Sequence, residues 1–320
     1  MLTEFALYSD RLLMAAVGVY VLAMILHGLE FARERLENDV LVGAGGPPTP
    51  EPPAPEPPAP APLPPARPAT APRVQANRFG RMAVALIVLG AGLHIVSIVL
   101  RGVSAERWPL GNMYEFTSMI CLTAVVTWLV VLRRSPAMRP VGLFVLLPVV
   151  ILLFLGGTVL YAQAAPVVPA LRSYWLVVHV TTIGLSSGLL LVSGTASLLF
   201  LLRRSGRFAS LAQRLPGADV LDRLAYRTTI IAFPLYTFGV ITGAIWAEAA
   251  WGRFWGWDPK ETVAFVAWVV YAAYLHARAT AGWRTGSAAW INVAGFSMII
   301  FNLFFINIVI AGLHSYAGLG

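Results

Sequence analysis

Long apolar segments separated by short polar connections dominate the chain. Eight of these segments approach or exceed the length of about 20 residues that an α-helix needs to cross a bilayer. They lack the alternation of polar and apolar residues that barrel strands show. Lipid offers no hydrogen-bond partner for backbone groups, so each segment must form its backbone hydrogen bonds internally, as a helix does. The pattern predicts an all-α polytopic membrane protein with about eight transmembrane helices, at 10–29, 79–100, 116–132, 141–161, 174–202, 228–247, 262–282 and 290–312.

The first apolar segment and a proline-rich connection precede the other seven segments. The first segment is too long, and its flanks are too polar, for a cleaved signal peptide, so residues 1–30 are interpreted as a transmembrane helix. Residues 47–72 contain 14 prolines in 26 positions, which is typical of an extended polyproline II spacer; a docking site for a cytoplasmic partner is the alternative. We expect a cytoplasmic proline-rich linker at 31–78 and a transmembrane domain at 79–320.

The basic charge of the chain predicts its orientation. The formal net charge is +8, and 58% of the residues are hydrophobic. Alternate connections hold 17 of the 23 Lys and Arg residues, so by the positive-inside rule these connections are cytoplasmic and both termini are extracytoplasmic. We therefore expect a multi-pass protein of the plasma membrane, in contact with lipid, and no nucleic-acid partner. The basic connections are 31–81, 133–139, 203–227 and 278–284.

A tryptophan-rich stretch, WGRFWGWDPKE, lies in the predicted external connection 248–261. Trp251, Trp255 and Trp257 can cover the face of a large flat apolar ligand, and their N–H groups can donate to its polar edge. An interfacial aromatic belt is the plainer interpretation, since Trp accumulates at membrane surfaces. A belt does not require tryptophans interleaved with glycines and followed by charges, so the stretch favours a ligand platform.

The charged residues of this stretch divide into two groups. Arg253 and Lys260, the only lysine, are placed to meet carboxylates at the edge of a ligand. Asp258, Pro259 and Glu261 match the N-cap, N1 and N3 positions of a capping box. Asp258 and Glu261 are therefore interpreted as a helix cap rather than as an acid and base pair.

The five histidines fall at different depths of the predicted helices. His94 and His179 lie about six residues below the external ends of their helices, and His314 lies just past the end of the last one. His276 lies about 21 Å from the external end of its helix at 1.5 Å per residue, and His27 is near the internal end of the first. Histidines inside a membrane are by default functional candidates, although hydrogen bonding between helices is the alternative. Two of them facing each other could ligate haem iron.

Four stretches together resemble one family of membrane proteins. They are the tryptophan-rich stretch, HIVSIVLRGVSAERWPLGNMYE at 94–115, YWLVVHV around His179, and the terminal GLHSY. The chain resembles the haem-handling proteins with a tryptophan-rich WWD element that assemble c-type cytochromes, the CcmC, CcmF and CcsA family. Within it, the 94–115 stretch and the terminal LHSY favour the system II branch, called CcsA or ResC, and CcsB in actinobacteria.

The resemblance implies a function in cytochrome c maturation. Members of the family hold haem b, as a substrate, in an inner membrane site and in an external site under the WWD element, where it is attached to the CxxCH motif of apocytochrome c. It implies His179 and His314 as external axial ligands and His276 as an inner ligand. The partner of His276 would be a histidine of a ResB-like subunit, so haem lyase activity would require that subunit.

Other features of the sequence are less tightly tied to this function. Cys121 is the only cysteine, so a thioredoxin-like partner would have to keep the substrate thiols reduced. The 94–115 stretch contributes four further candidate site residues, with a structural or gating role for the histidine. A non-catalytic haem carrier or exporter that passes haem to a chaperone is the alternative function; a b-type electron-transfer subunit is a third, which these histidines match poorly. The four candidates are His94, Arg101, Asn112 and Glu115.

Overall fold

The computed structural model describes residues 1–43, 71–206, 209–212, 214–280, 283, 286–310 and 312–314. These residues form an all-α bundle without strands, and eight helices in it are long and apolar enough to cross a membrane. The predicted fold class is therefore confirmed. The helices are α1 Leu2–Gly43, α2 Ala71–Ala105, α3 Met113–Arg134, α4 Gly142–Thr158, α5 Tyr174–Ser205, α6 Ala218–Trp251, α7 Pro259–Ala279 and α8 Gly286–Phe301.

Several helix boundaries differ from the apolar segments. α1 and α6 extend beyond the apolar residues 10–29 and 228–247, because polar residues at helix ends keep their helical hydrogen bonds outside the lipid. α2 begins at Ala71, within the predicted linker. Residues 47–70 of the proline-rich segment lie outside the described part of the chain, as do Ser315 and Tyr316 of the terminal motif.

Two helix pairs organise the bundle. α1 packs along α2, α5 packs along α6, and α3 lies against α5 between the pairs. One apolar core lies mainly among α1 to α4 around the fully buried Trp128, and a second joins α5 to α8 around Tyr236 and Tyr271. A smaller cluster around Tyr274 continues the packing of α7 against α8.

Buried polar side chains join the helices inside these cores. The Nδ2 of Asn292 on α8 donates to the Oγ of Ser193 on α5 at 2.8 Å, and that oxygen lies 2.7 Å from the Oγ1 of Thr229 on α6. Inside a membrane such contacts satisfy groups that lipid cannot. They fix α5, α6 and α8, which carry or precede most of the site described next.

Candidate functional site

The connections 106–112, 159–173 and 252–258 and the segment 312–314 meet at one end of the bundle, called here the Trp-loop end. Side chains at this end line two adjoining cavities of about 110 Å³ each. Both cavities are bordered by His179, Trp246, Lys260 and His314. The two histidines predicted as external ligands are thus brought together, although 135 positions of sequence separate them.

His179 is held by the backbone of α6. Its Nδ1 lies 2.7 Å from the carbonyl oxygen of Gly239, and a carbonyl can only accept a hydrogen bond, so Nδ1 carries the proton. A Cβ at Gly243 would come within 2.6 Å of the imidazole ring, so glycine is needed there for the ring to fit. The Nε2 of His179 is left as the unprotonated nitrogen, with its lone pair available to a ligand.

His314 is held by the acid at the start of α7. Its Nδ1 lies 2.9 Å from Oδ2 of Asp258, whose Oδ1 accepts the N–H of Leu313 at 2.8 Å. A Cβ at Gly312 would lie 2.7 Å from that same oxygen, so the glycine allows the segment to approach the carboxylate. The described end of the chain is therefore fastened to α7, and the neutral imidazole of His314, with its proton on Nδ1, presents Nε2 as the nitrogen with a free lone pair.

Asp258 belongs both to this contact and to the helix cap. It accepts the backbone N–H of Lys260, while Glu261 accepts those of Asp258 and Gly256, which completes a capping box. Burial alone would raise the pKa of the Asp258 carboxyl, but the hydrogen bonds from His314, Leu313 and Lys260 outweigh it and lower the pKa to about 2. The ionised carboxylate therefore stabilises the fold above pH 3.8, and this contribution is lost as the pH falls through about 2.

Trp246 occupies the centre of the site. It is 2% exposed, and its ring lies nearly parallel to that of His179, with centroids 6.1 Å apart and planes 9° apart. The same indole lies 5.7 Å from the ring of His314 and 4.7 Å from that of Trp251. Trp246 was not predicted from the sequence, because it falls inside an apolar segment; the five-residue spacing between two tryptophans near the end of α6 is the signal that could have identified it.

The three predicted platform tryptophans have different environments. Trp251 lies in the last turn of α6, where it packs 5.0 Å from His314 and lines a cavity, and Gly252 ends the helix with a φ of 72°. Trp255 also lines that cavity. Trp257 does not line it: this side chain is 66% exposed and packs edge-on against Trp255, with a φ of 56° that is strained for a bulky residue.

Of the two cations predicted to meet the carboxylate edge of a ligand, only Lys260 lines the cavities. Lys260 lines both cavities, and its Nζ donates to Oδ1 of Asn307 at 2.5 Å. Asn307 directly follows a π-helical turn, Asn302–Ile306, a distortion that is frequent at functional sites. Arg253 does not line the cavities; its guanidinium lies over Gly256, where a Cβ would overlap it.

Of the four candidates from the 94–115 stretch, only Asn112 borders the cavities; Glu261 of the capping box lines one of them as well. Arg101 and Glu115 are buried and form an ion pair of 3.0 Å, and Arg107 joins the same carboxylate at 2.8 Å. Asn112 caps the start of α3 with its side chain and also borders one cavity. This cluster fixes the connection 106–112, which forms one wall of the site.

The remaining histidines are separate from the pair. His94 is fully buried between α2 and α3, with Nε2 2.8 Å from Oγ of Ser118. His27 is fully buried and contacts Glu30 at 3.1 Å. His276 is exposed near the opposite end of α7, about 25 Å from its start at 1.5 Å per residue.

Comparison with known proteins identifies the family. The family model described as "Cytochrome C assembly protein" matches residues 110–314, which include every residue of the histidine site. The chain belongs to this family. Its sequence is 35% identical over 274 residues to the cytochrome c biogenesis protein CcsA of Parasynechococcus marenigrum (strain WH8102), covering 73% of this chain and 86% of that protein. CcsA of Guillardia theta is 34% identical over 250 residues, covering 70% and 82%.

One solved structure shares the fold of this cytochrome c assembly protein. The cytochrome c haem lyase CcmF superposes with a TM-score of 0.60 at 16% identity, covering 93% of this chain. The chain spans 46% of the length of CcmF. The sequence comparisons confirm the predicted CcsA-type resemblance and the predicted role in cytochrome c maturation.

Proposed function

We propose that this cytochrome c assembly protein delivers haem to an external site bordered by His179 and His314 and presents it to apocytochrome c, as the membrane subunit of a haem lyase. The observation that carries the proposal is the pair of histidines with fixed tautomers. Both Nδ1 atoms are held by acceptors, so both Nε2 atoms are free to ligate iron beside one apolar, indole-walled cavity. Such acceptors behind ligating histidines orient the rings and raise their basicity.

The rest of the cavity suits the chemistry of haem b. Trp246, Trp251 and Trp255 supply apolar ring faces for a porphyrin, and Lys260 supplies a cation for a propionate. Two cavities of about 110 Å³ are smaller than the roughly 300 to 1,000 Å³ typical of ligand pockets. Binding of haem therefore requires the site to widen. The segment 312–314, fastened mainly by Asp258, is the element that we expect to move.

The chain's contribution to haem attachment is mainly positioning. Each substrate thiol adds across one vinyl group, forming a C–S bond while the thiol hydrogen ends on the other vinyl carbon. The addition consumes no oxidant, and it requires reduced thiols, which a thioredoxin-like partner would maintain. The protein holds the substrates in reacting geometry and excludes water from the apolar cavity. We assign His276 to an inner haem site at an interface with a ResB-like subunit in the plasma membrane. We assign the Trp-loop end to the extracytoplasmic side of that membrane.

Reconstitution tests the lyase function. The chain is co-expressed with a ResB-like subunit and an apocytochrome c, in cells that lack other cytochrome c maturation proteins and haem chaperones. We expect covalent haem on the cytochrome, detected by haem staining of denaturing gels, and none when either membrane subunit is omitted. Haem that co-purifies with the membrane proteins but never becomes covalent without a chaperone would instead identify a carrier.

Replacing Asp258 tests whether it controls the tautomer of His314. In Asp258→Asn the amide can donate to Nδ1, which favours the proton on Nε2 and blocks ligation, whereas in Asp258→Ala the tautomer is free. We expect about 10- to 100-fold weaker haem binding in Asp258→Asn than in the wild type. The alanine variant should bind haem better than the asparagine variant, although it should be less stable by about 1 kcal/mol because Ala is a poor N-cap.

Titration with haem measures the order of haem affinity among the variants, and thermal unfolding in detergent measures their order of stability. Glu248→Gln, at an exposed acid one turn before Trp251, is the matched control and should match the wild type in both. If haem affinity follows the order of stability, with the asparagine variant above the alanine variant, Asp258 acts only as a cap.

A further inference from the structure

A surface groove of about 330 Å³ adjoins the histidine cavities. It is on the side away from the connection 252–258, called here the Trp loop. It lies between the connection 106–112 and the residues that lead into α5, and it is called here the side groove. Trp108 and Tyr174 form its open walls, with 69% and 77% of their surfaces exposed. Most of its lining belongs to connections between helices long enough to cross a membrane, so the groove lies at the end of the bundle rather than along its apolar sides.

The side groove shares a wall with the site of the histidine pair. Four residues, mostly leucines, line both the groove and the cavity bordered by His179 and His314, so a single layer of side chains separates the two spaces. A Cβ at one of them, Gly111, would come within 2.6 Å of Val167, so glycine is required for the two connections to pack this closely. The shared residues are Leu110, Gly111, Leu171 and Leu176.

The backbone at the groove offers a hydrogen-bond donor. Val167 lines the groove, and within the described part of the chain its N–H group has no hydrogen-bond partner. Two carbonyls of the same segment are already bound: that of Ala165 by Arg107 and that of Val167 by Arg172. A free backbone N–H in a groove can donate to a backbone carbonyl of a bound polypeptide.

The apolar wall between the side groove and the histidine cavity also matches the vinyl edge of the proposed haem ligand. Lys260, the cation of the cavity, lies at the start of α7, and the Trp loop closes the cavity there. The wall toward the side groove is formed by Leu110, Met113, Leu171 and Leu176, which suit vinyl groups rather than propionates. A polypeptide in the groove would therefore reach the apolar edge of a porphyrin held between the histidines.

We propose that the side groove binds the CxxCH segment of the substrate polypeptide and leads its thiols to the vinyl edge of haem. This inference rests on the proposed lyase function. Trp108 and Tyr174 provide faces for apolar side chains of the substrate, the N–H of Val167 donates to its backbone, and the leucine layer is the passage to the histidine cavity.

Cysteine capture tests the route. The native Cys121 is fully buried, so an introduced cysteine is the main accessible thiol. Tyr174→Cys places it in the groove. Phe254→Cys, at a side chain 60% exposed that lines the cavity from the Trp loop, probes the competing entrance, and Glu248→Cys reports background reactivity at the same end. The probe is a CxxCH peptide with one cysteine changed to serine and the other activated as a mixed disulfide with thionitrobenzoate.

We expect the Tyr174→Cys variant to capture the peptide at least about tenfold faster than the Phe254→Cys or Glu248→Cys variant, because a bound peptide has a raised effective concentration. An excess of unactivated peptide should remove this preference, and a scrambled peptide should not. Two results overturn the proposal: capture by Phe254→Cys that is as fast or faster, or capture by Tyr174→Cys that is no faster than by Glu248→Cys.

The haem spectrum of the same samples is recorded separately. Loss of haem binding counts against the lyase function, and loss of selective capture counts against the groove.

Discussion

Replacement of either His179 or His314 by glycine is expected to abolish cytochrome c maturation. Each variant removes one of the two free Nε2 atoms, so haem at the external site becomes five-coordinate and its low-spin bis-imidazole spectrum disappears. Loss of residues behind a metal ligand typically costs about 10- to 100-fold, so loss of the ligand itself should lower holocytochrome yield at least ~100-fold. Optical spectra of purified protein and haem staining of the co-expressed cytochrome measure the two effects.

Rescue and a matched histidine make the experiment specific. Free imidazole can occupy the space left by His→Gly and should restore the low-spin spectrum in both variants. His94→Gln is the matched control, because His94 lies at a similar depth in the sequence pattern but is bonded to Ser118 outside the cavities. It should retain the wild-type spectrum. Unchanged spectra and maturation in His179→Gly and His314→Gly would exclude the proposed external site.

The helices could be predicted from sequence because lipid imposes a strong local requirement. Each spanning segment must be apolar and must satisfy its own backbone, and both conditions are visible within about 20 residues. The ends are less visible. α6 continues to Trp251 because no strong stop signal precedes Gly252, so the predicted external connection 248–261 is shorter in the structure and Trp251 belongs to a helix.

The site was only partly predictable, because its decisive contacts are non-local. The histidines and the loop tryptophans were chosen from depth, residue type and resemblance. The contact between Asp258 and His314 joins positions 56 apart, and a local capping pattern gave Asp258 a sufficient explanation of its own. Trp246 lies among apolar residues at helical positions, where nothing local distinguishes a ligand wall from a membrane belt. Arg253 matched the chemistry of a carboxylate partner, but the structure folds it over Gly256.

His276 lies on an exposed face of α7, where we propose that a second subunit binds. Phe265, Val269, Ala273 and His276 are all exposed and follow one another at intervals of three or four residues, so they form one face of α7. The opposite face is fixed to α6, where Arg278 pairs with Asp222 at 2.8 Å. His276 lies in the last turn of α7, close to Arg278. The exposed face is therefore suited to a second membrane subunit that supplies the other axial ligand of an inner haem.

His276→Ala is expected to lose about one haem per complex with the ResB-like subunit while the external low-spin spectrum remains. Holocytochrome yield should fall by roughly tenfold or more, because haem would no longer pass through a ligated inner site. His27→Gln is the matched control. His27 is also near the end of the bundle that carries the Arg-rich connections, but it is fully buried against Glu30. Its replacement should leave the haem content unchanged. Haem per complex is measured by pyridine haemochrome assay, with and without the partner. A wild-type chain that holds both haems alone, or a His276→Ala complex with its full haem content, would show that His276 does not share a ligand site with a second subunit.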